Sequence, residues 1–421
     1  MQNKYLNNVS WSVFEQIFRL LSNFFISILL VRYLGVEDFG VYSYVITIST
    51  FYYVFSKFGL NDIVIKYLVE EQDKDNYLRI LVSVIKVKLF LCLVLYFAIV
   101  IISYIFFEDK TIVFLVLIST VGVLFQSFDV VESHHTASVN IKPIAISKNI
   151  QLFFSLTLKL LLIYFEFELI YFVLLSSIEI IFLMFLYYFI FKHYNGFSLH
   201  YKIDFLIIKK ILKQAWPIAL ASLAMMGYVR LDQIMIFNML TPKDLGVYAA
   251  AAKISESWYF VPTIIAATFF PKVIAASTKS FDEYQHTIVK LVRLEIVIAF
   301  TFAMFITIFG DAIISHAYGY EFEDSSFILK THIWAGIFIA ISRVSIKWHI
   351  NEGFQIHFLY KCIIGFLINS CLNYFFIPIY GIKGAAVSTV ISMFIIECLY
   401  YSVMKYSRIF FRVIVKAIFV I

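Results

Sequence analysis

Residues Leu89–Phe107 read LFLCLVLYFAIVIISYIFF. No charge interrupts this run, and a helix of about 20 such residues crosses the roughly 30 Å hydrocarbon core of a bilayer. The run does not alternate apolar with polar, as the strands of an outer-membrane barrel would. It is typical of the chain: hydrophobic residues make up 62% of the 421 and charged residues 15%. A soluble domain is nearer 45–50% and about 25%, so the surplus apolar surface must face lipid. Phe (47) and Tyr (28) are abundant while Gly (14) and Pro (6) are scarce, which suits long helices with aromatic ends.

Outward from this run, spans are expected at about 9–31, 41–61, 82–106, 111–131, 146–165 and 169–191. A second set is expected at 215–239, 245–269, 291–310, 326–348, 358–378 and 383–403. An even number places both termini on one side, and basic residues choose the side. Lys66, Lys74, Arg79, Lys192, Lys202, Lys209, Lys210, Lys213, Lys272, Lys279, Lys290 and Arg293 fall on the side of the termini. The opposite loops are acidic, with Glu37, Asp38, Glu108, Asp109, Glu166, Glu168, Glu321, Glu323 and Asp324. Both termini are therefore expected in the cytoplasm. The net charge of +6 is mostly this topology signal, and no basic–aromatic pattern points to nucleic acid. The first span carries Glu15 and Arg19, which a cleavable signal core would not. Cys92, Cys362, Cys371 and Cys398 lie in apolar runs without metal-ligand spacing and read as small fillers. No cofactor or metal is called for, and loops of this length leave no room for an extramembrane catalytic domain.

The chain repeats itself. LGVEDFGVYSYVITIS, Leu34–Ser49, aligns with LTPKDLGVYAAAAKIS, Leu240–Ser255, at an offset of 206 residues. The pairs Leu34/Leu240, Asp38/Asp244, Gly40/Gly246, Val41/Val247, Tyr42/Tyr248, Ile48/Ile254 and Ser49/Ser255 are identical. Asp38 and Asp244 are expected to cap the following helices, with Tyr42 and Tyr248 at interfacial depth. Six spans per half give both halves the same orientation. The expected fold is an all-α integral membrane protein of 12 transmembrane helices, two six-helix bundles in a parallel pseudo-two-fold repeat. That plan suits alternating access. The divisions are 1–192 (N-terminal bundle), 193–214 (cytoplasmic linker), 215–403 (C-terminal bundle) and 404–421. The last stretch, from KYSRIFFRVIVKAIFVI, sets Arg408, Arg412 and Lys416 four residues apart, a basic amphipathic cytoplasmic tail suited to the membrane interface.

Three stretches carry a family resemblance. RYLGVEDFGVYSY (Arg32–Tyr44), RLDQIMIFNMLTPKDLGVYAAAAKISE (Arg230–Glu256) and IPIYGIKGAAVST (Ile377–Thr389) resemble Wzx-type O-antigen and capsule flippases. These belong to the multidrug/oligosaccharidyl-lipid/polysaccharide exporter superfamily. The resemblance implies a MATE-like V-shaped transporter of the bacterial plasma membrane. It would move undecaprenyl-pyrophosphate-linked oligosaccharide from the inner to the outer leaflet, beside a polysaccharide polymerase and chain-length regulator as partners. The length argues against the lipid II branch, which usually has two further helices.

Ionisable groups within spans are costly and tend to face a cavity. Arg19 shares a polar stripe with Ser12, Glu15, Gln16, Asn23 and Ser27; a Glu15–Arg19 pair holding helix 1 to its neighbours is the other reading. Arg230 lies roughly 22 Å along its helix and Lys253 roughly 12 Å deep in the next, levels that nearly coincide. Glu256, three residues beyond Lys253, is an alternative partner for it. Asp232 points about 160° away from Arg230 and serves either packing or a coupling proton. Lys159, Glu179, Arg343 and Glu397 are also embedded. A pyrophosphate needs cations along its path, so Arg19, Lys159, Arg230, Lys253 and Arg343 are the substrate-binding candidates. Glu15, Asp232 and Glu256 are the coupling-ion candidates. A cation-coupled multidrug antiporter would favour acids over Arg19 and Lys159 in the first half. A membrane polysaccharide polymerase would carry a long outer catalytic loop; here the longest runs only from about Asp311 to Ser325.

Overall fold

The computed structural model describes residues 2–195 and 201–419; the end of the tail and part of the 193–214 stretch lie outside the described residues, as does the side chain of Ser12. Every regular element among the described residues is helical. In the first part the helices are α1 (Gln2–Lys57), α2 (Leu60–Glu70), α3 (Lys74–Phe106), α4 (Lys110–Thr120), α5 (Val130–Ala137), α6 (Lys142–Tyr164) and α7 (Leu169–Asn195). Then come α8 (Phe205–Met239), α9 (Pro242–Ser257), α10 (Phe260–Ser277), α11 (Phe281–Ala317) and α12 (Ser325–His332). The last are α13 (Ala335–Asn351), α14 (Gln355–Phe394), α15 (Tyr400–Val403) and α16 (Arg408–Phe419). Ten stretches among the described residues are long and apolar enough to cross a bilayer, and the chain is a multi-pass membrane protein. Phe90, Phe97, Ile101, Tyr104 and Ile105 of α3 are more than half exposed, the outward apolar face that lipid requires.

Two helices bend where a glycine takes a backbone shape closed to other residues. Gly35 in α1 has φ 71°, ψ −177°, and Gly381 in α14 has φ 61°, ψ −146°. That region is essentially glycine-only. Each break falls between two of the expected spans, so a continuous helical assignment covers a sharp turn. Elsewhere helices start with side-chain caps: Asp73 accepts from the Asn76 amide at 3.0 Å, Asp109 from Thr111 at 2.7 Å, and Ser280 from Glu283 at 3.1 Å.

The chain forms two compact units. The first comprises Met1–Tyr33 and Tyr44–Leu223; the second comprises Leu34–Ser43 and Ala224–Ile421. The first is centred on Leu60, Val64, Leu81, Tyr187, Phe191 and Ile211. Because α8 starts at Phe205, the second part of the 193–214 stretch is helix, and Ile208, Ile211 and Ala215 bury in that core. The second unit gathers Val292, Trp348, Tyr401, Phe410, Val413 and Ile414. The last three belong to α16, so part of its apolar face is covered by protein, while Arg408, Arg412 and Lys416 stay exposed.

Leu34–Ser43 packs within the second unit, against the other copy of the repeat. A Cβ on Gly40 would run into the Pro242 carbonyl, and one on Gly246 into the Val36 carbonyl. The caps differ from expectation. Thr241 caps α9, accepting from the Asp244 amide at 3.1 Å and donating to its carboxylate at 2.6 Å. Asp244 therefore sits in the first turn, three residues past the cap, with its carboxylate accepting from the cap hydroxyl. The position equivalent to Thr241 in the first copy is Gly35, which turns the chain instead. Tyr248 is fully buried in the second unit and its hydroxyl donates to Asp232, the partner a buried phenol needs.

Candidate functional site

Each embedded charge in the sequence-derived site can be followed to its surroundings. In the first unit, Arg19 Nε lies 3.2 Å from Glu15 Oε1 one turn earlier, with Glu15 buried and Arg19 partly exposed. Of the polar stripe, Ser27 is buried whereas Gln16 and Asn23 are exposed. Lys159 on α6 meets Glu179 on α7 at 2.8 Å. Ser155 bridges them, accepting from Lys159 at 3.1 Å and donating to Glu179 at 2.6 Å.

In the second unit, the Arg230 guanidinium on α8 holds the Glu256 carboxylate on α9 at 2.5 Å. Glu256 thus joins the arginine of the neighbouring helix. Lys253 is exposed on α9. Asp232 is buried on the other side of α8, bound by the Tyr248 hydroxyl and by the Gln233 amide at 2.8 Å. Ser255 contacts His332 Nδ1 at 2.7 Å. Arg343 on α13 keeps its Nε buried without a hydrogen-bond acceptor. The three acids proposed for coupling therefore each hold a partner: Glu15 with Arg19, Asp232 with Tyr248, and Glu256 with Arg230.

Two buried lysines escaped the sequence reading, although Glu397, the partner of one, was read there as embedded. Lys88 on α3 is fully buried; its ammonium donates to Asp129 and, at 2.9 Å, to Asn61. Lys361 on α14 donates to Glu397 at 2.7 Å and to the Tyr401 hydroxyl at 2.8 Å. Glu397 lies in a π-helical turn, Ile395–Leu399, a distortion frequent at functional sites. Beside this pair is a cavity of about 30 Å³, room for a water, edged by Tyr228, whose buried hydroxyl has no hydrogen-bond partner. The signal was present in the sequence: a lysine inside an apolar span demands an acid nearby. Which acid it finds is a matter of helix packing. No cluster of three or more potential metal ligands occurs among the described residues. What the arrangement offers chemically is a set of embedded ion pairs, Glu15–Arg19 within α1 and the others between elements.

The polysaccharide biosynthesis protein family matches residues 29–327, which takes in Arg230, Glu256 and both copies of the repeat. The chain belongs to this family. Among relatives of this polysaccharide biosynthesis protein is the capsular polysaccharide biosynthesis protein CapF of Staphylococcus aureus. It is 25% identical over 228 residues, which cover 52% of this chain and 55% of CapF. The probable low-salt glycan biosynthesis flippase Agl15 of Haloferax volcanii is 25% identical over 173 residues, 39% of this chain and 35% of Agl15. The chain thus spans about half, or less, of the length of these curated relatives. Among solved structures, the inward-closed lipid II flippase MurJ superposes with TM-score 0.73 at 16% identity, covering 97% of this chain and 90% of MurJ. An inward-facing multidrug resistance MATE transporter gives TM-score 0.77 at 15% identity, covering 94% and 96%. At such identities the likeness speaks for the fold: this family member has the fold of the multidrug/oligosaccharidyl-lipid/polysaccharide exporter superfamily.

Proposed function

We propose that the protein is a flippase that carries undecaprenyl-pyrophosphate-linked oligosaccharide repeat units from the cytoplasmic to the outer leaflet of the bacterial plasma membrane. It would do so by alternating access, in the assembly of O-antigen, capsule or exopolysaccharide. The observation that carries the reading is membership of the polysaccharide biosynthesis family over residues 29–327 in a chain with a transporter's fold. Reading the turns at Gly35 and Gly381 as separations between crossings supports a plan of twelve spans. The excess of lysine and arginine in alternate loops supports cytoplasmic termini.

In this reading Arg230 is a cation that meets the pyrophosphate. Its fork binds phosphate oxygens as it binds a carboxylate, so the lipid-linked anion displaces Glu256 and takes its place. The displaced carboxylate is then left beside Lys253, one turn away on α9, or accepts a proton; either outcome keeps it from standing charged and alone in a span. Lys159–Glu179 and Arg19–Glu15 are the corresponding pairs of the first unit, and Arg343 supplies a further cation. Asp232, held by Tyr248, is the acid whose protonation would couple transport to an ion gradient.

The test is complementation. A strain lacking its own repeat-unit flippase should regain surface polysaccharide when it expresses this chain. Failure to restore output while the protein is present in the membrane at normal level, together with acquired resistance to cationic drugs, would assign it instead to the antiporters that share its fold.

A further inference from the structure

The end of α16 is fastened to α11 by one residue. Arg293 donates from Nε to the Ala417 carbonyl at 3.1 Å and from Nη2 to the Lys416 carbonyl at 2.9 Å. These carbonyls belong to the last turn of α16, where the helix dipole favours a cation. Lys416 in turn reaches Gln285 of α11, Nζ to Oε1 3.4 Å. With Phe410, Val413, Ile414 and Ala417 buried in the unit, α16 is a fixed wall. Its basic side and the polar first turns of α11 enclose a groove of about 280 Å³ lined by Asp282, Gln285, His286, Lys290, Arg293 and Lys416.

The groove has a definite depth on α11. The lining runs from Asp282 to Arg293; from Val297 to Gly310 the helix has no charged residue. The apolar residues flanking the groove are exposed: Leu294, Val297, Ile418 and Phe419. A ligand there meets cations at one end and apolar surface at the other. Three cations against one carboxylate, Asp282, leave a net positive lining. The volume is just under the roughly 300 Å³ at which small-molecule sites begin, enough for a headgroup and too little for a whole lipid.

We propose that this groove holds the phosphate headgroup of an anionic phospholipid, with the acyl chains lying along the exposed apolar flank of α11 and α16. Basic pockets between helices at a membrane boundary bind such headgroups. Lys290 and Lys416, both exposed, contact the phosphate, and His286 lines the rim. Arg293 holds the walls together. The site is separate from the charge pairs within the spans and does not depend on the transported substrate.

The experiment uses the full chain purified in mild detergent, incubated with phosphatidylglycerol or phosphatidylcholine, and read by native mass spectrometry as lipid retained per chain. Phosphatidylglycerol should be retained preferentially. Lys290→Ala and Lys416→Ala should each lower its retention about five-fold, and the Lys290→Arg/Lys416→Arg variant should keep it. Arg408→Ala removes a charge from the same helix outside the groove and should change nothing. Millimolar inorganic phosphate should fail to displace the lipid. Equal retention of both lipids, unchanged retention in the alanine variants, an equal loss from Arg408→Ala, or displacement by inorganic phosphate would each overturn the assignment; the last would make this a soluble-anion site. Because the readout is bound lipid, it stands or falls independently of complementation in the flippase-null strain.

Discussion

Gly40 and Gly246 are matched residues of the repeat, and each lies under a backbone carbonyl of the other copy. A Cβ on Gly40 would overlap the Pro242 carbonyl and come 3.0 Å from the Gly246 nitrogen; one on Gly246 would overlap the Val36 carbonyl and come 3.2 Å from the Gly40 nitrogen. Val36 and Pro242 are themselves 206 residues apart, so the two contacts are reciprocal. This is the close approach that small residues permit between membrane helices, and it explains why the repeat keeps these glycines.

Alanine at either position should therefore destabilise the protein to a similar degree. The clash is with backbone, which cannot rotate away, so a cost of about 1–3 kcal/mol is expected. Thermal unfolding of the detergent-solubilised Gly40→Ala and Gly246→Ala variants measures it. If either variant melts with the unsubstituted protein, the reciprocal packing is refuted.

The Arg230–Glu256 pair makes a second prediction. Arg230→Ala should abolish most polysaccharide output in the flippase-null strain, and Arg230→Lys should retain more, because a charge without the fork still attracts phosphate. Glu256→Gln should be milder, since it frees the guanidinium rather than removing it. A purely structural pair behaves differently: Arg230→Ala/Glu256→Ala would then recover what Arg230→Ala lost, with membrane levels normalised in every case. The same assay on Lys253→Ala/Glu256→Ala should show no mutual rescue, because Glu256 is held by the arginine.

Lys361 and Glu397 are both nearly fully buried, and removing one partner leaves a charge stranded. Lys361→Met or Glu397→Gln alone should cost roughly 3–5 kcal/mol, seen as loss of folded protein on fluorescence-detected size exclusion. The Lys361→Met/Glu397→Met double variant should recover much of the loss, since well-packed apolar residues replace buried pairs at little cost. A double variant as unstable as the worse single one would show that the π-helical turn, rather than the charge balance, depends on Glu397.

Topology is checked by reporters. A reporter active only in the cytoplasm should be active when fused after Ile421, and one active only outside should be active when inserted near Asp109, in an acidic loop. Silence of the first with activity of a periplasmic reporter at the same C-terminal site would reverse the orientation.

What the sequence by itself determined is whatever depends on composition along a line. The uncharged run at Leu89–Phe107 settles the solvent as lipid, because no soluble core could bury so much apolar surface. The spacing of such runs located the apolar segments, although α8 and α11 each begin ten residues before the expected start, and the offset of 206 exposed the repeat. The tertiary structure decided what depends on which faces meet. Glu256 lies one turn from Lys253 in sequence, yet it joins Arg230 of the neighbouring helix, because α8 and α9 bring the guanidinium to it. Lys88 finds Asp129 and Lys361 finds Glu397 across helices, contacts that no local spacing encodes. Tyr248 carries the same motif position as Tyr42 but is buried on Asp232, and Phe410, Val413 and Ile414 of α16 are covered by protein. Hydropathy records how strongly a residue avoids water, and both protein and membrane satisfy that avoidance; only the packing of one helix on another distinguishes them.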